Sequence, residues 1–299
     1  MTVTTRASSA ASPSTAISRS VTRVLRTRAE LRAALAGSPR PVGLVPTMGW
    51  LHAGHRALMH RARTDDTTTV VTIFVNPRQF NEAADYQRYP RNEARDLQAC
   101  VEAGVDLVWA PPVEEVYPPG FDTLVTVGAV ASPLEGAARP GHFDGVATVV
   151  AILFALVGAE HAYFGQKDAQ QIMVIRQMAR DLALPTEVVA CPTVRESDGL
   201  ALSSRNVHLS PAERAAAPVI HRALIAARER WASGERSGEA LRATMRDVLA
   251  HEPMAEVEYV SCADGLTLRE LDDVTGPTLL SVAVHFGATR LIDNELVGA

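Results

Sequence analysis

Compact apolar runs and longer stretches of helical period take turns along the first two thirds of this chain. Pro41 to Val45, Thr67 to Val75, Val105 to Trp109, His161 to Phe164 and Glu187 to Ala190 are short and mostly apolar, several of them rich in β-branched residues. That is the signature of buried strands. Leu124 to Val127 is a further strand candidate. Val24 to Ala36, His55 to Arg63, Pro90 to Gly104, Gly141 to Val157 and Ala169 to Leu182 predict helices between them. Such alternation implies parallel strands joined by right-handed crossovers, an α/β fold built on a doubly wound sheet. After Val194 the rhythm changes. Pro211 to Trp231 and Glu239 to His251 predict helices, and Val257 to Cys262, Leu279 to Phe286 and Thr289 to Ile292 predict strands. The expected organisation is an α/β domain over 21–194 and a smaller α+β domain over 195–299.

Composition adds a few bounds. Residues 1–20 are rich in Ser, Thr, Ala and Arg, and no acid precedes Glu30. Organelle-targeting segments share that bias. So few large apolar residues cannot offset the entropy of ordering, so a disordered extension is expected. The net charge of -5 argues against a protein that coats nucleic acid, yet permits a small anionic substrate. Cys100, Cys191 and Cys262 form no CxxC pair, which points to a reducing compartment rather than a disulfide or zinc framework. The most apolar stretch, Val146 to Val157, is too short to span a membrane.

Four segments at expected strand ends carry chemistry. In Pro46-Thr47-Met48-Gly49-Trp50-Leu51-His52-Ala53-Gly54-His55, two imidazoles flank a glycine where a strand passes into a helix. Free N–H groups at a helix start, with imidazole donors, suit phosphate; a zinc pair or two surface histidines are the alternatives. Asn76 and Gln79, in Asn76-Pro77-Arg78-Gln79, can donate and accept without adding charge, or simply shape a polar turn. In Gly165-Gln166-Lys167-Asp168-Ala169-Gln170-Gln171, Lys167 offers phosphate a compact positive charge and Asp168 could cap the helix. Gln171 stands one turn beyond Lys167, so both can face one cleft. Leu202-Ser203-Ser204-Arg205 reads as a phosphate clamp or an interdomain linker. Arg139 and His142 could touch ligand or cap the long helix that follows. His208, His221, His251 and His285 lack partners at catalytic spacing, and Met173 and Met178 read as core.

Together these segments resemble the pantothenate synthetase family, within the HIGH-motif nucleotidylyltransferase superfamily of Rossmann-like fold. The likeness runs from about residue 40 to 294 and includes the runs VPTMGWLHAGH, IFVNPRQF, RPGHFDGVATVV, FGQKDAQQ and DGLALSSRN. Gln166 stands where the family usually has Glu, and Ala53 fills a variable position. The resemblance implies a ligase that condenses pantoate with β-alanine through a pantoyl adenylate, with ATP as substrate and Mg2+ as cofactor, in a cytoplasmic homodimer. It implies that Met48, Gly49, Trp50, Leu51, His52, Ala53, Gly54, His55, Gly165, Gln166, Lys167, Asp168, Val194, Leu202, Ser203, Ser204 and Arg205 line the ATP site. His55 matches the family's catalytic histidine, with His52 and Lys167 expected beside it on the phosphates. Gln79 and Gln171 match its pantoate-binding glutamines, with Gln79 also near β-alanine; Asn76 and Arg139 are expected near the same substrates. A nucleotidylyltransferase acting on a phosphorylated acceptor would release pyrophosphate without needing an amine. A non-catalytic ATP-binding module could dispense with His55 or Lys167, and a tRNA synthetase would carry an anticodon-binding domain.

Overall fold

In the computed structural model, which describes residues 21–81 and 83–298, six parallel strands form one sheet in the order β1-β4-β3-β2-β5-β6. They are β1 (Arg23–Leu25), β2 (Val42–Thr47), β3 (Thr68–Ile73), β4 (Leu107–Trp109), β5 (His161–Gly165) and β6 (Glu187–Cys191). The extension expected over 1–20 lies outside the described residues. Helices connect the strands: α1 (Arg28–Ala36), α2 (Ala53–Asp65), α3 (Ala83–Arg88), α4 (Glu93–Glu102), α5 (Val113–Val116), α6 (Glu135–Ala138), α7 (His142–Val157) and α8 (Ala169–Asp181). Successive strand residues point to opposite faces. Leu44 and Val70 therefore pack with Leu31, Leu153 and Ile175 of α1, α7 and α8. Their neighbours Val45 and Val71 pack with Leu58, Met59 and Cys100 of α2 and α4.

Three boundaries differ from the sequence reading. Val24 to Ala36 is not one helix: Arg23–Leu25 pairs with Leu107–Trp109, and α1 begins only after Thr27. The Thr27 hydroxyl accepts from Glu30 N while the Glu30 carboxylate accepts from Thr27 N, a reciprocal cap that apolar spacing does not register. Leu124 to Val127 forms no strand, because the Val125 N–H is taken by Thr148 Oγ1 of α7 at 2.9 Å. Pro211 to Trp231 is broken at Pro218 into α9 (Pro211–Ala216) and α10 (Val219–Ala232).

Beyond these lie α11 (Gly238–Ala250) and an antiparallel sheet of β7 (Glu256–Asp264), β8 (Thr278–Phe286) and β9 (Thr289–Val297). Leu224, Leu241, Met245, Val282 and Phe286 form its separate core. This second unit reaches the first through side chains. Arg290 of β9 donates to both oxygens of the buried Glu135 carboxylate at 2.7 Å each, and Tyr259 Oη donates to Glu135 at 2.9 Å. Asn294 Nδ2 donates to the carbonyls of Gln166 and Lys167 at 2.9 and 2.8 Å.

The winding of the parallel sheet reverses between β2 and β5. These strands pair only at Gly43–His161 and Leu44–Ala162, then diverge toward their carboxyl ends. Doubly wound sheets bind ligands in the crevice that such a reversal opens.

Candidate active site

The chain leaves β2 at Thr47 and turns into α2. Gly49 (φ 81°) and Trp50 (φ 50°) both take left-handed backbone there, which glycine adopts freely and tryptophan does not. His52 is the N-cap of α2. Its Nδ1 accepts from Gly54 N at 3.1 Å, and His55 Nδ1 accepts from His52 N at 3.3 Å. This is a capping box made of imidazoles. Because each Nδ1 is an acceptor, each neutral ring carries its proton on Nε2. Burial holds His52 down to about 4, aided by the charge of Lys167; burial, then His52, holds His55 down to about 3. Two neutral rings 4.1 Å apart thus supply two N–H donors at a helix N-terminus, where the dipole already favours an anion.

On the other side of the crevice β5 ends at Gly165, and Lys167 and Asp168 follow before α8. Asp168 occupies the N-cap position but makes no side-chain capping bond; its carboxylate lies 3.4 Å from Lys167 Nζ. Lys167 and Gln171 face the same cavity, as their one-turn spacing predicts. The segment 202–205 closes it from above. Ser204 Oγ is 3.3 Å from Tyr89 Oη, and Arg205 pairs with Asp85 at 3.4 Å. Lys167, Arg139 and Arg205 line the cavity, against Asp168 as the single acid among the described residues. Burial, then the neighbouring Arg205, brings the Arg139 pKa down to about 10.

Gln79 is set by a network of its own. Asn76 is 1% exposed and uses its whole amide inside the protein. Its Nδ2 donates to Gln79 Oε1 and to Gly145 O, both at 3.0 Å, and its Oδ1 accepts from Tyr117 Oη at 2.7 Å and Arg78 N at 3.2 Å. With Oε1 so engaged, the Nε2 donors of Gln79 are left to the cavity. Gly145 lets α7 come this close: a Cβ there would stand 2.2 Å from Arg78 O. His142 Nδ1 donates to Gln79 O at 2.8 Å while Nε2 accepts from Arg139 at 3.2 Å. Burial, then Arg139, keeps His142 neutral, with a pKa near 4.

The residues expected at ATP line one cavity, except Gly49, Trp50, Leu51, Ala53 and Gln166. Trp50 and Leu51 turn their N–H groups onto Asp96, and Gln166 turns its amide to Asn294 Oδ1 at 3.2 Å. Asn76, Gln79, Arg139 and Gln171 line the same cavity, although Asn76 has no hydrogen-bonding capacity left for a ligand. Tyr89, Phe80 and Asp96 escaped the sequence reading. The aromatic run Phe80, Tyr86, Tyr89, whose rings stack edge to face, was the signal available for the first two.

Residues 21–296 match the family model of pantoate-beta-alanine ligase. The chain belongs to that family. It is therefore an enzyme, a ligase, and its residues 1–20 fall outside the match. The ligase is 60% identical over 276 residues to the pantothenate synthetase of Chloroflexus aggregans, covering 92% of this chain and 99% of that one. It is 59% identical over 277 residues to that of Roseiflexus sp. strain RS-1, covering 93% and 100%. Among solved structures, pantothenate synthetase from Thermus thermophilus superposes with a TM-score of 0.87 at 51% identity, covering 91% of this chain and 98% of that one. The pantoate-beta-alanine ligase from Francisella tularensis, complexed with beta-gamma ATP and beta-alanine, gives 0.75 at 32% identity, covering 91% and 97%.

Proposed function

We propose that this ligase makes pantothenate in two steps, with the units 21–194 and 195–299 as its two domains. A pantoate carboxylate oxygen attacks the α-phosphorus of ATP and pyrophosphate leaves. The β-alanine amine then attacks the acyl carbon, forming the amide, and AMP leaves with the former carboxylate oxygen. The observation that carries this reading is the make-up of one cavity. Two imidazoles and the cations Lys167, Arg139 and Arg205 line it together with the uncharged amides of Gln79 and Gln171.

The chain's part is positioning and charge stabilisation. His52 and His55 hold phosphate oxygens through Nε2–H as charge shifts from the α-phosphorus to the leaving group. Lys167 and the Ser203–Arg205 segment take the pyrophosphate. Gln79 and Gln171 orient pantoate, with Arg139 beside them, and Asn76 serves by fixing Gln79. The 198–206 segment shelters the intermediate from water. Neither Ser203 nor Ser204 is bonded to a histidine, so neither is set up as an acyl carrier: Ser203 accepts from Arg205 N and Ser204 meets Tyr89.

Mg2+ fits this cavity as an ion carried by the nucleotide. Among the described residues no trio of His, Cys, Asp or Glu is arranged to chelate it, and Asp168 is the one carboxylate on the cavity. Magnesium prefers substrate phosphates and water with one or two carboxylates. Asp168 would hold it, and it would neutralise the triphosphate. No described helix is long and apolar enough to cross a membrane. A cytoplasmic homodimer completes the reading, on the strength of the family resemblance.

The test is isotopic. Pantoate labelled with ¹⁸O in its carboxylate is supplied with ATP, magnesium and β-alanine, and the AMP is weighed. Label in the AMP phosphate is expected. ADP in place of AMP, with label in inorganic phosphate, would mean an acyl phosphate and overturn the mechanism.

A further inference from the structure

We propose that Asp96 is the positioning residue of the two-histidine turn: it fixes where the imidazoles of His52 and His55 stand without meeting substrate itself. This rests on the assignment of those rings to the phosphates made above. Asp96 lies in the first turn of α4 and is 1% exposed, with no cationic partner among the described residues. Its Oδ2 accepts from Trp50 N and its Oδ1 from Leu51 N, each at 2.8 Å. A buried carboxylate is costly unless donors compensate it. Here the donors are the two backbone N–H groups just ahead of the His52 N-cap, helped by the N-terminal dipole of α4.

Arg95 grips the same turn from outside. Its guanidinium lies 4.7 Å over the Trp50 ring, and Nη2 donates to Leu51 O at 2.9 Å. Neighbouring residues of one helix therefore hold both N–H groups and a carbonyl of a turn 44 or more positions away.

The turn needs holding. Trp50 sits in left-handed backbone that an L side chain adopts only when its surroundings impose it. A Cβ on Gly49 would come 2.9 Å from Asp96 Oδ2, so the carboxylate occupies the room that glycine leaves. Once those bonds are lost, Trp50 relaxes and rotates the peptide ahead of His52. Because His55 Nδ1 is tied to His52 N, both rings move together. Misplacing a catalytic donor by an ångström costs on the order of 10²-fold in rate.

Asp96→Asn keeps the size but sets an amide N–H2 against one of the two backbone donors. At a temperature where circular dichroism shows a folded chain, kcat should fall about 10- to 100-fold while the Kd for ATP changes less than about threefold. Arg95→Ala leaves the carboxylate bonds intact and should show a smaller loss of the same kind; it stands in if Asp96→Asn does not fold. In a His52→Ala/His55→Ala background Asp96→Asn should cost less than about threefold more, because both rings it positions are gone. Losses that multiply in full would place the action of Asp96 elsewhere and overturn the proposal. A direct readout is independent of turnover: the imidazole ¹⁵N signals of His52 and His55 should shift in Asp96→Asn. Unchanged signals would sink the proposal whatever the activity. Undiminished turnover in His55→Ala alone would refute the phosphate role of the ring, leaving the imidazole signals to decide on Asp96.

Discussion

A neutral imidazole whose Nδ1 is already engaged has one thing left to offer, an N–H on the far side of the ring. His52 and His55 both meet that description. Replacing His55 by Ala should lower kcat by roughly 10² to 10³-fold, the usual loss for one preorganised donor to developing charge. A folded His55→Ala enzyme with near-normal turnover would remove it from the mechanism. The same rings make stability depend on pH. Their folded pKa values, about 4 and about 3, lie below the ordinary histidine value, so between there and about 6.5 the unfolded chain binds more protons. Their contribution is intact at neutral pH and is lost progressively as the pH falls through that range. The melting temperature of the free enzyme should fall from about pH 7 to about pH 4, and fall less steeply in His55→Ala. An equally steep fall in the variant would show that His55 is not a source of the dependence. These two histidines were legible in the sequence because glycine, imidazole and a strand-to-helix passage stood together in one short run. Asp96 was not, since what gives it meaning is a pair of backbone N–H groups far away in the chain.

The turn after β3 shows a different division. Its polar residues were visible, yet which of them face ligand was decided by α7. Gly145 admits that helix to contact, and Asn76 spends its amide on Gly145, Tyr117, Arg78 and Gln79. Gln79→Ala and Gln171→Ala should weaken pantoate binding by about 1 to 3 kcal/mol, with ATP binding far less affected, because a polar group of the substrate loses its partner. Asn76→Ala should weaken pantoate binding in the same direction through the freed Gln79. Separate calorimetric titrations with each ligand check all three, and a defect confined to ATP would refute the assignment. The main strands and the long helices were readable from apolar period. The break before α1, the missing strand at Leu124 to Val127 and helix α3 were not, because a cap, a side-chain acceptor and an exposed short helix leave no apolar period to read.

At the scale of the molecule, a small apolar cluster of Leu134, Ala169, Met173, Ala263, Leu268 and Leu279 joins the two units, together with a few charged bonds. Glu135 is buried and holds Arg290 and Tyr259; Arg290 reaches on to Glu258 at 2.5 Å. Arg290→Ala leaves Glu135 without its cation, a change that costs about 3 to 5 kcal/mol for a buried pair. Urea unfolding should register that loss, and an unaltered midpoint would mean the pair contributes nothing net. A chain that starts at Val21 should keep the activity and melting temperature of the full sequence, since the family match begins there; loss of either would show that residues 1–20 dock.

The strand order has a practical side. β1 is the outermost strand, three places from β2, which at the usual strand spacing is roughly 14 Å from the crevice. A linker attached ahead of Val21 therefore departs from the rim of the sheet, away from the phosphates and from the segment that covers them. Immobilised on a bead by that end, the ligase should turn over at its free rate.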